Sequence, residues 1–333
     1  VMRRGAGWAA LCGTLLLPPP FTSGSALARQ GAARPAATAP SEQQFAANQL
    51  VLQLVARRDW ALQRIEIVKG LVLLKGRLDD RPATILLDTG TERTVVDVTF
   101  ARAAGIAMQE HAAEALTGTS RITTFRTERM SLEVPNAFTL RGELVAFDLN
   151  PMSRTLGRQV DAVLGRDATN LMAVMLQPDR NQLALVSSGS IRMNGPDVVR
   201  LPLIDGSHIE ATINGHKVRL LVDYGYSGAV RLSDPVWKQA IGAMDAGTAV
   251  QNSVIADGTT RRSKVAQATL NIGRLSSQNA PVASGFVPVG AGAGDGLIGT
   301  GFFLQGTSVV DGPAKQVMFI VRRQPNMPAM RRE

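Results

Sequence analysis

One stretch of this chain occurs twice. Laid over each other without gaps at an offset of 135 residues, Gly76–Gly90 and Ala211–Gly225 keep register through fifteen positions. Leu78 falls on Ile213, the turn pair Asp79-Asp80 on Asn214-Gly215, Ile85-Leu86-Leu87 on Leu220-Leu221-Val222, and Asp88 on Asp223. In each copy a hairpin feeds a strand too apolar to lie at a surface, and the strand ends in an acid followed by x-Gly. A short helix pattern follows each time. Val98–Ala104 has Asp97 before it and Gly105 after it, and Pro235–Ile241 has Asp234 before it and Gly242 after it;. Farther on, Val163-Leu164-Gly165 falls on Leu297-Ile298-Gly299 at an offset of 134, and each is followed by a hairpin pattern, Val174–Val186 and Val309–Val321. A repeat of this kind calls for two equivalent lobes, since each copy is a supersecondary unit that buries its apolar face against its twin.

Between these copies, β-branched or Leu-rich runs alternate with turn signals such as Ile213-Asn214-Gly215-His216 and Asp311-Gly312-Pro313;. The expected fold is therefore all-β, with a first lobe over residues 65–190, a second over 191–323, a pseudo-twofold axis between them and a basic tail over 324–333. Ser41 with Gln43 and Gln44 can start a helix whose apolar positions include Phe45, Leu50, Leu54 and Val55, so residues 41–64 are expected to form a short N-terminal helix;. Residues 29–40 (RQGAARPAATAP) read as a flexible linker;. The first 28 residues read as a secretory signal: Arg3 and Arg4, an apolar core from Gly5 to Leu17, and a small-x-small site at Ala26-Leu27-Ala28;. That predicts a periplasmic or secreted protein. No uninterrupted apolar run reaches the roughly 20 residues of a spanning helix, so no integral membrane span is expected after cleavage. Cys12, the one cysteine, lies inside the signal, which leaves the mature chain without thiol chemistry;.

The formal charge is +9, and it falls to +7 without Arg3 and Arg4. The basic residues are scattered apart from Arg322-Arg323 and Arg331-Arg332, and only 5% of residues are aromatic, so a nucleic-acid partner is not expected;. His111, His208 and His216 lack ligand spacing, which argues against a metal site;. In Gly290–Gly296 (GAGAGDG) Asp295 stands where a dinucleotide loop needs its third Gly and no Lys follows, so no cofactor is expected;. Tyr226-Ser227-Gly228 lacks the second Gly of a serine nucleophile elbow, because Ala229 holds that place;.

The two acids remain. An acid ending an apolar strand is costly without partners. A single Asp-x-Gly is an ordinary turn cap, but two at matched positions of duplicated lobes can meet across the axis. Such carboxylates cannot both ionise easily. The ionised one can take a proton from water while the protonated one hydrogen-bonds a carbonyl, which is general acid–base hydrolysis of an amide. Ile85-Leu86-Leu87-Asp88-Thr89-Gly90-Thr91, together with Val163-Leu164-Gly165, resembles the active-site loop and apolar-apolar-Gly loop of retropepsin-like aspartic proteases, especially the bacterial exported branch. The likeness extends over roughly residues 65–323. It implies two retropepsin- or pepsin-like β-barrel lobes, the pKa logic known for aspartic proteases in general, and Asp88 and Asp223 as the catalytic dyad. It further implies supporting roles for Thr89, Gly90, Thr91, Tyr224, Gly225, Ser227, Leu164, Gly165, Ile298 and Gly299, with flaps near Gly118 and Asp257-Gly258. A peptide or protein is the implied substrate, and a monomer suffices because one chain carries both acids.

The second motif departs from the family. Tyr224 stands where the family has Thr or Ser, whose hydroxyl braces the opposite loop, and a phenol places its OH several Å farther out;. A catalytically silent peptide-binding module, with Tyr224 and Tyr226 filling the cleft, is therefore the alternative. A homodimer pairing Asp88 with Asp88 is a third reading, which the internal duplication disfavours.

Overall fold

The computed structural model of the protein describes residues 15–16, 50–117, 120–242, 249–254, 260–288 and 294–321. The hairpin at Asp79-Asp80 joins Leu71–Leu78 to Arg81–Leu87. Its counterpart joins His208–Ile213 to His216–Asp223 through Asn214-Gly215, whose φ values of 49° and 84° suit the residue pair that best tolerates a left-handed turn;. In the first lobe Ile85, Leu86 and Leu87 run parallel to Ala162, Val163 and Leu164, and the latter strand runs antiparallel to Val95–Asp97. In the second, Leu220–Asp223 runs parallel to Gly296–Gly299, which runs antiparallel to Val230–Ser233. Each lobe thus threads its acid-bearing strand beside its apolar-Gly strand in the same way.

The rest of each lobe repeats as well. Val95–Asp97 lies parallel to Phe138–Phe147, which pairs with Ser120–Val134 and through it with Met108–Thr117. Val230–Ser233 lies parallel to Leu275–Phe286, which pairs with Thr260–Ile272 and through it with Ala249–Val254. Asp97 caps the helix Val98–Ala104 by accepting from Phe100 N at 2.9 Å, and Gly105 ends it at φ 75°. The second helix spans Asp234–Ala240 with Ser233 at its N-cap, one residue earlier than expected, and keeps Pro235 in its first turn.

The lobes are joined by a sheet that belongs to both. Ala173–Gln177 pairs with Gln182–Val186 on one side and with Gly306–Asp311 on the other, so the two expected hairpins meet edge to edge. Gln63–Val68 extends the first hairpin and Val198–Pro202 the second, giving six strands across the molecule. Gln63–Val68 then turns at Lys69-Gly70 into Leu71–Leu78, which ties this sheet to the first barrel.

One expectation is corrected over part of its length. Of the helix expected over 41–64, residues 41–49 lie outside the described residues, and residues 50–64 contain no helix; Val51–Leu54 is a strand against Phe138–Arg141, a turn follows, and Gln63 begins the next strand. Leu50, Leu52 and Leu54 pack against the core while Val51 is exposed, a period of two that wins over the helical spacing of Leu50, Leu54 and Val55;. No helix among the described residues is long and apolar enough to cross a membrane.

The acid-bearing strands are buried on both faces. Ile85 and Leu87 join Leu164, Leu176, Tyr224 and Ile298 in a core common to both lobes, while Leu86 joins Leu71, Leu73, Val163 and the helix residues Met152 and Leu156 in a second layer. In the second lobe the matching layer is smaller: Leu221, Leu297, Phe286 and Tyr226. Because sheet and core are shared, urea should unfold the protein in one transition. Leu176→Ala, at a fully buried site facing Ser308 across the lobe boundary, should lower stability by about 2–5 kcal/mol for the whole chain. Two separate transitions would refute the shared core.

Candidate active site

The parallel pairing carries each acid off the end of its strand and into a turn. Asp88 N donates to Leu164 O at 3.1 Å, fixing the first turn to the apolar-Gly loop. Oδ1 of Asp88 accepts from Gly90 N at 2.8 Å and Thr91 N at 3.1 Å, and Oδ2 accepts from Thr91 Oγ1 at 2.7 Å. Oδ1 of Asp223 accepts from Gly225 N at 2.8 Å. Both acids are buried, and each carboxyl lies against the opposite loop.

Glycine is required at both turns. A Cβ on Gly90 would lie 2.4 Å from Cγ of Asp223, and one on Gly225 would lie 2.3 Å from Cγ of Asp88. Each loop's backbone is therefore the seat of the other loop's carboxyl. Thr89 Oγ1 crosses the same boundary, donating to Val222 O at 2.8 Å and accepting from Tyr224 N at 3.0 Å.

Behind the turns, the apolar-Gly loops clamp them. Gly165 N donates to Thr94 Oγ1, and a Cβ there would strike the Arg93 backbone at 2.5 Å. Arg166 N donates to Thr91 O at 2.8 Å, as Thr300 N does to Tyr226 O at 2.8 Å. Gly299 N donates to Ala229 O at 2.9 Å, while Ile298 pairs with both Val222 and Val230. Ser227 rests against the Lys69-Gly70 turn, 3.1 Å from where a Gly70 Cβ would stand. Gly118, Asp257 and Gly258, expected at the flap tips, lie outside the described residues; the strands leading to them pair up to Thr117–Ser120 and Val254–Thr260.

Neither tyrosine of the second loop enters the space between the acids. Tyr224 is fully buried, its OH lies 3.2 Å from Ser308 Oγ on the shared sheet, and its ring meets Phe303 edge-on at 5.1 Å. Phe303 in turn meets Phe302, and Phe302 meets Phe319, each edge-on at 5.4 Å. Burial pushes the Tyr224 phenol above its ordinary value, so it stays protonated. The Tyr226 OH donates to Val230 O at 3.3 Å, and the Arg231 guanidinium sits 4.8 Å from its ring centre. Sequence reasoning missed Ser308, Phe303 and the Thr94–Asp167 contact, in which Thr94 N and Oγ1 both donate to Asp167. The Leu-Gly-Arg-Asp run of 164–167 could have flagged Asp167, but nothing in the sequence singles out Ser308.

The aspartyl protease family model matches residues 74–168 and again residues 209–302, more than half of the chain. The chain belongs to the aspartyl protease family. The two matches fall on the two lobes, one for each acid-bearing turn. Among curated proteins no match is found.

Burial raises the pKa of both acids. Asp88 is drawn back by its bonds to Thr91 and Gly90. Asp223 stands well above its ordinary value because burial is joined by the charge of Asp88, with Gly225 N opposing. A carboxyl whose folded pKa is raised contributes stability below its unfolded value of about 4, and that stability is lost as pH rises through the folded value. Asp223→Asn should therefore raise the Tm relative to the parent more at pH 7 than at pH 3; equal shifts at both pH values would contradict it. Tyr224→Phe, which leaves the buried Ser308 hydroxyl unpartnered, should cost about 1–3 kcal/mol. Tyr224→Thr, which also empties the ring's place, should cost about 3–5 kcal/mol in urea unfolding. A Tyr224→Phe variant as stable as the parent would show that the phenol adds nothing through Ser308.

Proposed function

We propose that this protein is an aspartic endopeptidase that hydrolyses peptide bonds through water activated between Asp88 and Asp223. The observation that carries the reading is the reciprocal seating of the two turns, with Gly90 against the Asp223 carboxyl and Gly225 against that of Asp88. Two buried carboxyls in mutual contact retain one proton between them, so the pair can act as base and acid at once. The position of the tyrosines favours activity over a silent binding module: both phenols are hydrogen-bonded away from the acids, to Ser308 and to Val230 O. Thr89 supplies the crossing brace from one side.

In this reading an extended peptide lies between the lobes, clamped by the hairpins Met108–Thr117/Ser120–Val134 and Ala249–Val254/Thr260–Ile272;. The reaction needs no cofactor, and one chain supplies the whole pair. The signal-like residues 1–28 support action in the periplasm or outside the cell.

The test is hydrolysis of an unfolded protein by residues 29–333 between pH 3 and pH 7. Cleavage should appear in the parent and fall by about 10²–10⁴-fold in Asp88→Asn and in Asp223→Asn. A folded parent that cleaves nothing at any pH, yet binds the same peptides, would mark a binding module instead.

A further inference from the structure

We propose that the pocket between the helices Val98–Ala104 and Asn150–Leu156 is a specificity site that receives an acidic side chain of the substrate, with Arg102 as its anchor. The proposal rests on the protease reading and adds to it the kind of peptide that is taken. The pocket encloses about 430 Å³, within the size range of sites that hold a ligand group;. Thr99 and Arg102 line it from the first helix, Asp148 and Asn150 from the start of the second, and Phe125 and Phe147 from two neighbouring strands.

The two walls are clipped together. Asp97, fully buried, accepts from Phe100 N through Oδ2 and from Leu149 N through Oδ1 at 2.8 Å, so one carboxylate holds the starts of both helices. Asn150 Nδ2 spans the same gap, donating to Thr99 Oγ1 at 2.9 Å and to Asp148 Oδ1 at 2.7 Å. The pocket is therefore formed before a ligand arrives, which spares the cost of ordering it on binding.

What the lining leaves over is mainly donors. Asp148, the acid of the lining, is tied into the facing helix: its Oδ1 accepts from Asn150 N at 2.9 Å as well as from Asn150 Nδ2. The Thr99 oxygen accepts from Asn150, and its own proton remains to be given;. The Arg102 guanidinium lies over the Phe125 ring, 5.9 Å from its centre, and has no carboxylate partner among the described residues. A guanidinium over a ring keeps its in-plane N–H groups for a carboxylate, which it can take with two parallel hydrogen bonds.

Strand register sets the pocket's distance from the acids. Thr94 stands beside the first acid-bearing turn, where Gly165 N donates to its Oγ1, and Val95 pairs with Val163. From Thr94 the chain runs through Val95–Asp97 to the helix, and at about 3.3 Å per residue Val98 lies about 13 Å away. Phe147, paired with Asp97, is at the same end, and Phe125 lies on Ser120–Val134, a strand of the hairpin that clamps the peptide in the protease reading. An extended peptide advances by the same step, so the side chain that fills the pocket belongs to a residue about three or four positions from the cleaved bond. The second lobe does not repeat the arrangement. Its described residues between Leu275–Phe286 and Gly296–Gly299 contain no helix, and nothing among them matches the wall made by Asp148 and Asn150. The preference for an acid therefore falls on one side of the cleaved bond.

The test places Glu, Gln or Lys in turn at each position of one short peptide and applies the set to residues 29–333. Two readouts serve: kcat/KM with the parent, and fluorescence-anisotropy binding to the Asp223→Asn protein, which needs no turnover. At one position, three or four residues from the cleaved bond, Glu should exceed Gln by about tenfold in both readouts, the scale of one charge-assisted pair. Lys should fall below Gln there. Arg102→Gln should bring the Glu-to-Gln ratio below about twofold, and Arg102→Glu should invert the order in favour of Lys. Arg102 is exposed, so neither variant disturbs the core. A Glu preference that survives Arg102→Gln, a preference for Lys in the parent, or equal response to Glu and Gln at every position would each overturn the proposal. If the peptides bind with the Arg102-dependent preference but the parent cleaves none of them, the pocket stands and the protease reading falls. Cleavage without that preference keeps the protease reading and removes the pocket.

Discussion

The contact between each turn's glycine and the opposite carboxyl is the constraint from which the rest of the structure follows. A carboxyl away from water is costly, and two in contact are costlier unless they share a proton and find donors. Each acid accepts the N–H of its own loop's glycine, and the opposite carboxyl can come so near only because neither Gly90 nor Gly225 carries a Cβ. Bringing two backbones so near each other requires two equivalent frames held at a fixed separation. The six-strand sheet shared between the lobes provides this, and the Thr89 bridge to Val222 O and Tyr224 N pins the frames at the acids themselves.

Within that constraint the two loops solve the same problem differently. The first keeps its hydroxyls at the site: Thr89 across the axis and Thr91 on Asp88. The second turns the phenols at the matching positions away from the acids, to Ser308 and to Val230 O. Tyr224 anchors its loop to the shared sheet through Ser308 and to an edge-on series of rings through Phe303, Phe302 and Phe319. A crossing hydrogen bond is thereby exchanged for a large buried aromatic surface, a substantial gain in packing for one residue. Tyr226 covers a sheet face that has a helix in the first lobe.

Much of this was legible from residues alone, because the decisive features are local and duplicated. The register from Gly76–Gly90 onto Ala211–Gly225 foretold two hairpins feeding matched apolar strands, and both are present. The hairpins after each apolar-Gly loop were also legible, but their edge-to-edge pairing was not, since strand pairing at that separation leaves no trace in one sequence. The helix expected over 41–64 failed on residues 50–64, where a short apolar run satisfied two periodicities and the free edge of Phe138–Phe147 selected the strand;. The reach argument at Tyr224 correctly denied it the family's crossing bond. What it could not supply was the phenol's destination, because Ser308 lies 84 residues away and carries no motif.

The division between what is kept and what is exchanged follows the energetics of the contact. A methyl group at Gly90 or Gly225 would overlap the opposing carboxyl at 2.4 or 2.3 Å, and both loops would have to part to admit it. A hydroxyl on the outer oxygen of an acid contributes only the net worth of one charge-assisted hydrogen bond, about 1.5–3 kcal/mol. Packing a ring over Leu221 and Leu297 is of the same order, so the second loop can surrender the one for the other without losing the fold. The cost falls on the ionic form of Asp223, which accepts one hydrogen bond from its own loop where Asp88 accepts three. Asymmetric substitution is thus compatible with a symmetric pair of glycine seats, because the ring replaces a donor and not the close approach.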